Sequence, residues 1–254
     1  MKKHIGVFLI FLVLLGIMTY PLVFKINTHT PGFSSTMEIQ PTLWDSWRIK
    51  QSFLKGLPFR FTKLIAYPFG VYLYSSGYIS YIWMFWHYFL SIVTTSILTW
   101  NIQGLLNMFL SGILMYLLVF HLTKRRIVGL FSGIAFAFCP YQFARLWQHL
   151  GLTYNELLPL VLLGVILLKE DFSHKRVFTF IVFLLLLYSF DLHIMLFGSF
   201  ILFCFFIYTL LFNWRNKIKN LRLFRLDVRF IGKSAGLWII VLLILSFQFM
   251  PIIL

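Results

Sequence analysis

The amino-acid sequence predicts an all-α, polytopic membrane protein, with about seven transmembrane helices and one or two interfacial helices in a large first outer loop. Three observations predict it. First, 60% of the 254 residues are hydrophobic and 11% are charged, whereas a soluble domain carries about 25% charged residues. Such a chain cannot cover a water-facing surface. Second, the apolar residues come in runs of about 17–22, which suits membrane-crossing helices and not the short alternating strands of a barrel. Third, the bases lie between these runs, where the positive-inside bias collects them. The net charge of +15 therefore reads as loop charge facing anionic lipid, and a nucleic-acid partner is excluded.

Each element follows from that frame, and residues 1–254 read as one transmembrane module. Met1–His4 is basic and Ile5–Phe24 is apolar. A signal peptide would have an apolar core of about 7–15 residues and a small-residue cleavage site. This run is longer and has no such site, so it is a spanning anchor with a cytoplasmic N-terminus. Residues 25–100 form the first outer loop. Within it, Thr42–Gly56 reads as a helix along the membrane surface. Trp44, Trp47, Gln51 and Leu54 recur at three- and four-residue spacing, with Arg48, Lys50 and Lys55 off that stripe. Gly56-Leu57-Pro58 ends it.

Ile79–Trp100 reads as a second interfacial or re-entrant helix. A crossing there would force Lys124, Arg125 and Arg126 outside, and its Trp, His and Tyr content suits the interface. The crossings that follow are Ile102–Leu122, Ile127–Phe138, Leu157–Leu168, Val177–Phe190, Ile194–Phe212 and Ser234–Leu254. Of these, Ile127–Phe138 is short unless its helix continues toward Tyr141. Cys139–Thr153 is a second outer loop, Asp191–His193 an outer turn, and residues 213–233 a strongly basic cytoplasmic loop. This arrangement puts 7 of the 22 bases outside and 15 inside. Four of the seven acids, Glu38, Asp45, Glu156 and Asp191, fall outside. Cys139 and Cys204 sit in apolar runs and read as packing residues. The sequence stops at Pro251–Leu254, just at the end of a crossing, as expected of part of a longer protein.

The chemistry concentrates in few residues. Met37–Leu73 is the polar heart of the first outer loop, and it holds Glu38 and Asp45. Glu38, ahead of the surface helix, can act as a general base or help hold a cation, against the alternative of a solvated loop acid. Asp45, between two tryptophans, reads as a helix-surface charge. Glu156 opens an inward-going helix, where the macrodipole alone would favour an acid; its place at the outer mouth also makes it a second candidate carboxylate. Arg145 and His149, four residues apart, supply a phosphate-pairing cation and a proton carrier from one helical face. Asp191 and His193 read equally as a helix cap and as a functional pair. No Walker motif, GxGxxG, HExxH or paired CxxC occurs, which argues against a nucleotide-driven pump and a zinc protease. No acid or base sits mid-span, Tyr154–Glu156 only lengthening the outer end of the Leu157–Leu168 crossing, which argues against an ion-coupled transporter.

This layout resembles the GT-C superfamily of integral-membrane glycosyltransferases, which use polyprenyl-phosphate-linked sugars. It is most similar to bacterial members whose first loop reads acid-P-x4-W, then G-x-NPF, then YP-x-GV-x-L. The matching pieces are Glu38 with Trp44, Gly56-Leu57-Pro58-Phe59, and Tyr67-Pro68-Phe69-Gly70-Val71-Tyr72-Leu73. A second-loop pattern, F-x-PYR-x-A-x3-GH, is matched by Phe138-Cys139-Pro140-Tyr141-Gln142-Phe143-Ala144 and Gln148-His149. The likeness covers residues 1–170. It implies that Glu38 is the catalytic carboxylate and Glu156 a second acid. It implies that Arg145 and His149 bind substrate near the lipid phosphate, and that Asp45 and Tyr67, from the first loop, are further substrate-binding residues. It implies no organic cofactor and allows a divalent cation, with the metal ligands left unknown. The partners it implies are the lipid-linked donor, the bilayer and, where another chain completes the enzyme, a membrane subunit. Glu stands at 38 where the family usually has Asp, no DE or DD pair is present, and the chain is about half the family's usual length. Two other readings stay open. One is a non-catalytic protein that binds the lipid carrier or assembles envelope polysaccharide. The other is a membrane acyltransferase with His149 as base.

Overall fold

A computed structural model of the chain describes residues 4–32, 39–59, 61–73, 81–189, 191–216, 230, 232–237 and 239. Glu38, most of the basic loop 213–233 and most of the expected crossing Ser234–Leu254 lie outside the described residues. The described chain is mostly helical, and it divides into two compact units, Met1–Glu156 and Leu157–Leu254.

The first unit begins with α1 (Ile5–Met18), followed by a 3-10 turn at Leu22–Lys25. The surface helix is present as α2 (Ile39–Lys55). A two-residue hairpin follows, β1 (Phe61–Thr62) antiparallel to β2 (Val71–Tyr72). At its tip Gly70 has φ +78°, and a Cβ there would meet Phe61 Cζ at 2.5 Å, so only glycine fits that turn. The expected helix Ile79–Trp100 is broken in two. α3 (Tyr81–Val93) ends at Thr94, and Thr95 opens α4 (Ser96–Thr123) as an N-cap, its hydroxyl accepting from Leu98 N at 3.2 Å. At 13 residues, α3 is too short to cross a bilayer, which takes about 20.

α4 is the long helix of the unit, and a tight turn at Lys124–Arg125 returns the chain into α5 (Arg126–Ala137). The expected outer loop Cys139–Thr153 is instead helical. Cys139 is extended, Pro140 takes the first helical position of α6 (Pro140–Gln148), and a 3-10 turn at Leu150–Thr153 follows. In the second unit, α7 (Leu157–Glu170), α8 (His174–Tyr188) and α9 (Leu192–Asn216) pack together. Arg176 pairs with Glu170 at 3.0 Å and Asp171 at 3.7 Å. Asp191 caps α9, its carboxylate accepting from His193 N at 2.8 Å and Ile194 N at 3.3 Å, so the capping reading of that pair holds.

Among the described residues three helical runs are long and apolar enough to cross a membrane: Ser96–Thr123, Arg126–Gln148 and Leu150–Glu170. α1 and His193–Thr209 are shorter apolar helices. The extension of the expected Ile127–Phe138 crossing past Tyr141 is what gives the second run its length.

Helices surrounded by lipid gain little from burying apolar surface against one another, so close packing and polar contacts decide which helices pair. α4 and α5 approach through glycine. A Cβ on Gly133 would lie 2.5 Å from the Gly112 carbonyl oxygen and 2.7 Å from Cζ of Phe11, a fully buried ring of α1. Phe11 joins Val7, Ile113, Tyr116 and Ala137 in one cluster. Gly133→Ala must therefore push apart three helices. We expect it to cost about 1–3 kcal/mol, the range for overpacking a filled core, read as a lowered Tm of the purified protein. Gly16→Ala, with nothing within 4 Å, serves as the neutral control.

Candidate functional site

Three polar features stand out in the first unit, and the sequence-predicted residues are divided among them.

The first is a groove of about 410 Å³ at the end of α1. Thr19, Tyr20, Leu22 and Pro31 line it on one side, and Phe143, Leu146 and Trp147 of α6 on the other. Lys25 and the imidazole of His29 complete its lining. The chain here is held by Asn101 of α4, which is fully buried and gives both amide hydrogens away, to Ile26 O and His29 O at 2.7 Å each. Gly32 closes the wall: its φ is +80°, and a Cβ would stand 2.9 Å from Trp147 Cβ. Lys25 and His29 are exposed, so both are accessible to an anion. An apolar floor with an exposed lysine and imidazole suits a molecule that joins a hydrocarbon tail to an anionic head.

The second feature is a set of buried side chains along α4. Gln103, Asn107 and Ser111, each four residues apart, carry one polar stripe down an otherwise apolar helix. Asn107 donates to Thr153 Oγ1 at 2.7 Å, and Gln142 of α6 donates to Ser111 Oγ at 2.9 Å. The Ser111 hydroxyl in turn meets Glu156. Glu156 is only 4% exposed. It is the seventh residue of the run Leu150–Glu170, roughly 9 Å from its start at helical rise. It stands just ahead of α7 (Leu157–Glu170), at the end of the run where the sequence places it. The 3-10 turn at Leu150–Thr153, which the sequence reads as loop, and a turn at Asn155–Glu156 lead into α7.

The third feature joins α2, α3 and α4. Asp45 is not a helix-surface charge: it is 5% exposed and takes two hydrogen bonds from Arg48, at 2.6 and 3.0 Å. Arg48, expected to be solvated, is buried and also donates to Phe59 O at 2.6 Å. Lys50 likewise turns inward to Thr94 O at 2.9 Å. His87, expected at the interface, is fully buried. Its Nε2 lies 3.2 Å from Ser46 Oγ and 3.9 Å from Asp45 Oδ2, and its Nδ1 lies 3.4 Å from Gln103 Oε1. The outward face of α2 instead carries exposed Trp47, Phe53 and Leu54. The helix is thus polar toward the protein and apolar outward, as suits a surface against lipid.

Of the remaining candidates, Arg145 lies over the Tyr141 ring at 5.0 Å, and its Nε is buried without a hydrogen-bond partner. His149 is half-buried and ends α6, its N–H donating to Arg145 O at 2.8 Å. Tyr67 is 83% exposed at the hairpin tip. Neither Glu156, Arg145, His149, Asp45 nor Tyr67 lines the groove. Among the described residues no group of three His, Cys, Asp or Glu side chains could hold a metal ion. The sequence reading passed over His29, Asn101, Ser111 and Gln142. The four-residue recurrence Gln103–Asn107–Ser111 was the available signal for the polar stripe. Comparison of the chain with family models, with curated proteins and with solved structures gives no match.

Burial pushes the His87 pKa down from 6.5 to about 4, with Gln103 opposing and Arg48 reinforcing the shift. The unfolded chain then binds a proton between these values that the folded chain refuses, so stability is lost as pH falls through that window. The full effect is about 3 kcal/mol. Asp45 faces His87 and works the other way: burial raises its carboxyl against the pull of Arg48, so proton uptake there offsets part of the loss at the acid end. We expect Tm to be flat above pH 7 and to drop between pH 6.5 and 4.5. His87→Gln should flatten that drop; an unchanged slope would clear His87 of it.

Proposed function

We propose that this protein is a membrane glycosyltransferase that moves a sugar from a polyprenyl-phosphate carrier to a cell-envelope acceptor at the outer membrane face. The observation that carries the reading is the groove. Its walls of Leu22, Phe143, Leu146 and Trp147 suit a prenyl chain, and Lys25 and His29 suit the phosphate. Tyr20 and Trp147 at its edge are residues typical of the membrane–water boundary. In this reading the chain crosses the membrane about seven times from a cytoplasmic N-terminus, so that the groove opens outside.

Glu38 stands in the sequence between Gly32, which lines the groove, and Ile39, which starts α2. The acceptor hydroxyl gives its proton to the Glu38 carboxylate as its oxygen bonds to the anomeric carbon. The bond from that carbon to the phosphate oxygen breaks. The electron pair leaves with the polyprenyl phosphate, whose charge Lys25 and His29 hold. A divalent cation beside Glu38 would supply additional stabilisation of that leaving phosphate.

A second reading, a lipid-carrier-binding or assembly subunit for envelope polysaccharide, draws on one observation: among the described residues no carboxylate lines the groove. The two readings separate in one set of assays. With a panel of polyprenyl-phosphate-linked sugars, Glu38→Gln should lower transfer by about 10²–10⁴-fold, the usual contribution of a general base, and leave carrier binding intact. Lys25→Gln with His29→Gln should weaken binding of polyprenyl phosphate by about tenfold or more. Full transfer by Glu38→Gln would sink the catalytic assignment. Carrier binding by a wild-type protein that transfers no sugar would favour the second reading.

A further inference from the structure

Ser111, Gln142 and Glu156 come from three different runs that are long and apolar enough to cross a membrane: Ser96–Thr123, Arg126–Gln148 and Leu150–Glu170. Each places one side-chain oxygen group in the same buried cluster. The hydrogen bonds run in one direction. The Gln142 amide donates to Ser111 Oγ at 2.9 Å, which leaves the single Ser111 hydrogen for Glu156. The chain of donors ends there. Gln142 Oε1 and Glu156 Oε2 are both buried, and neither has a hydrogen-bond partner.

The charge is equally unanswered. Among the described residues no Lys, Arg or His forms an ion pair with Glu156. The nearest base along α6 is Arg145, whose guanidinium lies over Tyr141. His149 follows α6 and is half-buried. A carboxylate withdrawn from water without a counter-charge is strongly unfavourable, more so at membrane depth. Two buried oxygens without donors call for a ligand that oxygen can coordinate.

We propose that Ser111, Gln142 and Glu156 form an intramembrane binding site for one monovalent metal cation of the Na⁺ class. Oxygen donors select a hard cation. A single carboxylate balances a single charge, whereas a divalent ion would need further acids. The amide and hydroxyl oxygens add ligands without adding charge. The cation ties α4, α6 and the turn at Asn155–Glu156 together, so it stabilises the folded state by linkage.

The test uses the purified chain in lipid nanodiscs at fixed pH, with NaCl exchanged for choline chloride at constant ionic strength. Na⁺ should raise Tm saturably, by about 3–5 °C at ten times its Kd. Glu156→Gln should abolish the rise. Ser111→Ala, which keeps the carboxylate, should shift the Na⁺ midpoint at least several-fold and guards against a Glu156 variant that does not fold. Equal Tm in Na⁺ and choline would overturn the proposal. So would a Tm that follows pH alone at every Na⁺ concentration, which would make the ligand a proton.

Discussion

Asn101 holds the loop after α1 to α4, the longest of the described helices. Its amide gives one hydrogen to Ile26 O and one to His29 O. Left without donors in a buried setting, those two carbonyls would each cost about 1–3 kcal/mol. The contact therefore fixes where Lys25 and His29 stand, and with them the polar side of the groove. The same principle repeats along α4. Gln103 reaches His87 of α3, Asn107 reaches the 3-10 turn before α7, and Ser111 reaches Gln142 of α6. Each polar side chain on this helix assigns one neighbour its place, while the glycines set how closely neighbours approach.

Much of the architecture was legible in the sequence, because length and apolarity are local properties. The α4–α5 hairpin could be read from Lys124-Arg125 between two apolar runs, and the cap on α9 from Asp191. The break between α3 and α4 was not, because Thr94-Thr95 sits inside an unbroken aromatic and aliphatic stretch and acts only through the Thr95 hydroxyl. α6 was missed for the opposite reason. Its polar composition reads as loop, yet Pro140 starts a helix whose buried face, Gln142 and Leu146, packs on α4.

The more instructive failure concerns which face of a helix is which. The spacing of Trp44, Trp47, Gln51 and Leu54 correctly divides α2 into two faces. It does not say which one meets protein. In water the apolar face turns inward; against lipid the preference reverses, and Arg48, Asp45 and Ser46 become the core. Asp45 and Arg48 could be read as a surface pair because a three-residue spacing serves either environment. Only His87, arriving from a separate helix, makes the buried arrangement self-consistent, and that contact spans 41 residues of sequence.

α6 is where the two halves of the site meet. Phe143, Leu146 and Trp147 wall the groove, and Gln142, on a neighbouring face of the same two turns, bonds to Ser111. The electrostatics differ sharply across it. Lys25 and His29 are exposed and available to an anion from solution or from the bilayer. Glu156 is enclosed, so a ligand that reaches it must shed its water. A ligand that orders Gln142 also orders the helix wall that a lipid chain would touch, and by linkage the reverse holds with the same coupling. Because the groove and the acid share a wall but no lining residue, each can be emptied by substitution without dismantling the other, which separates a coupled pair of sites from a single one.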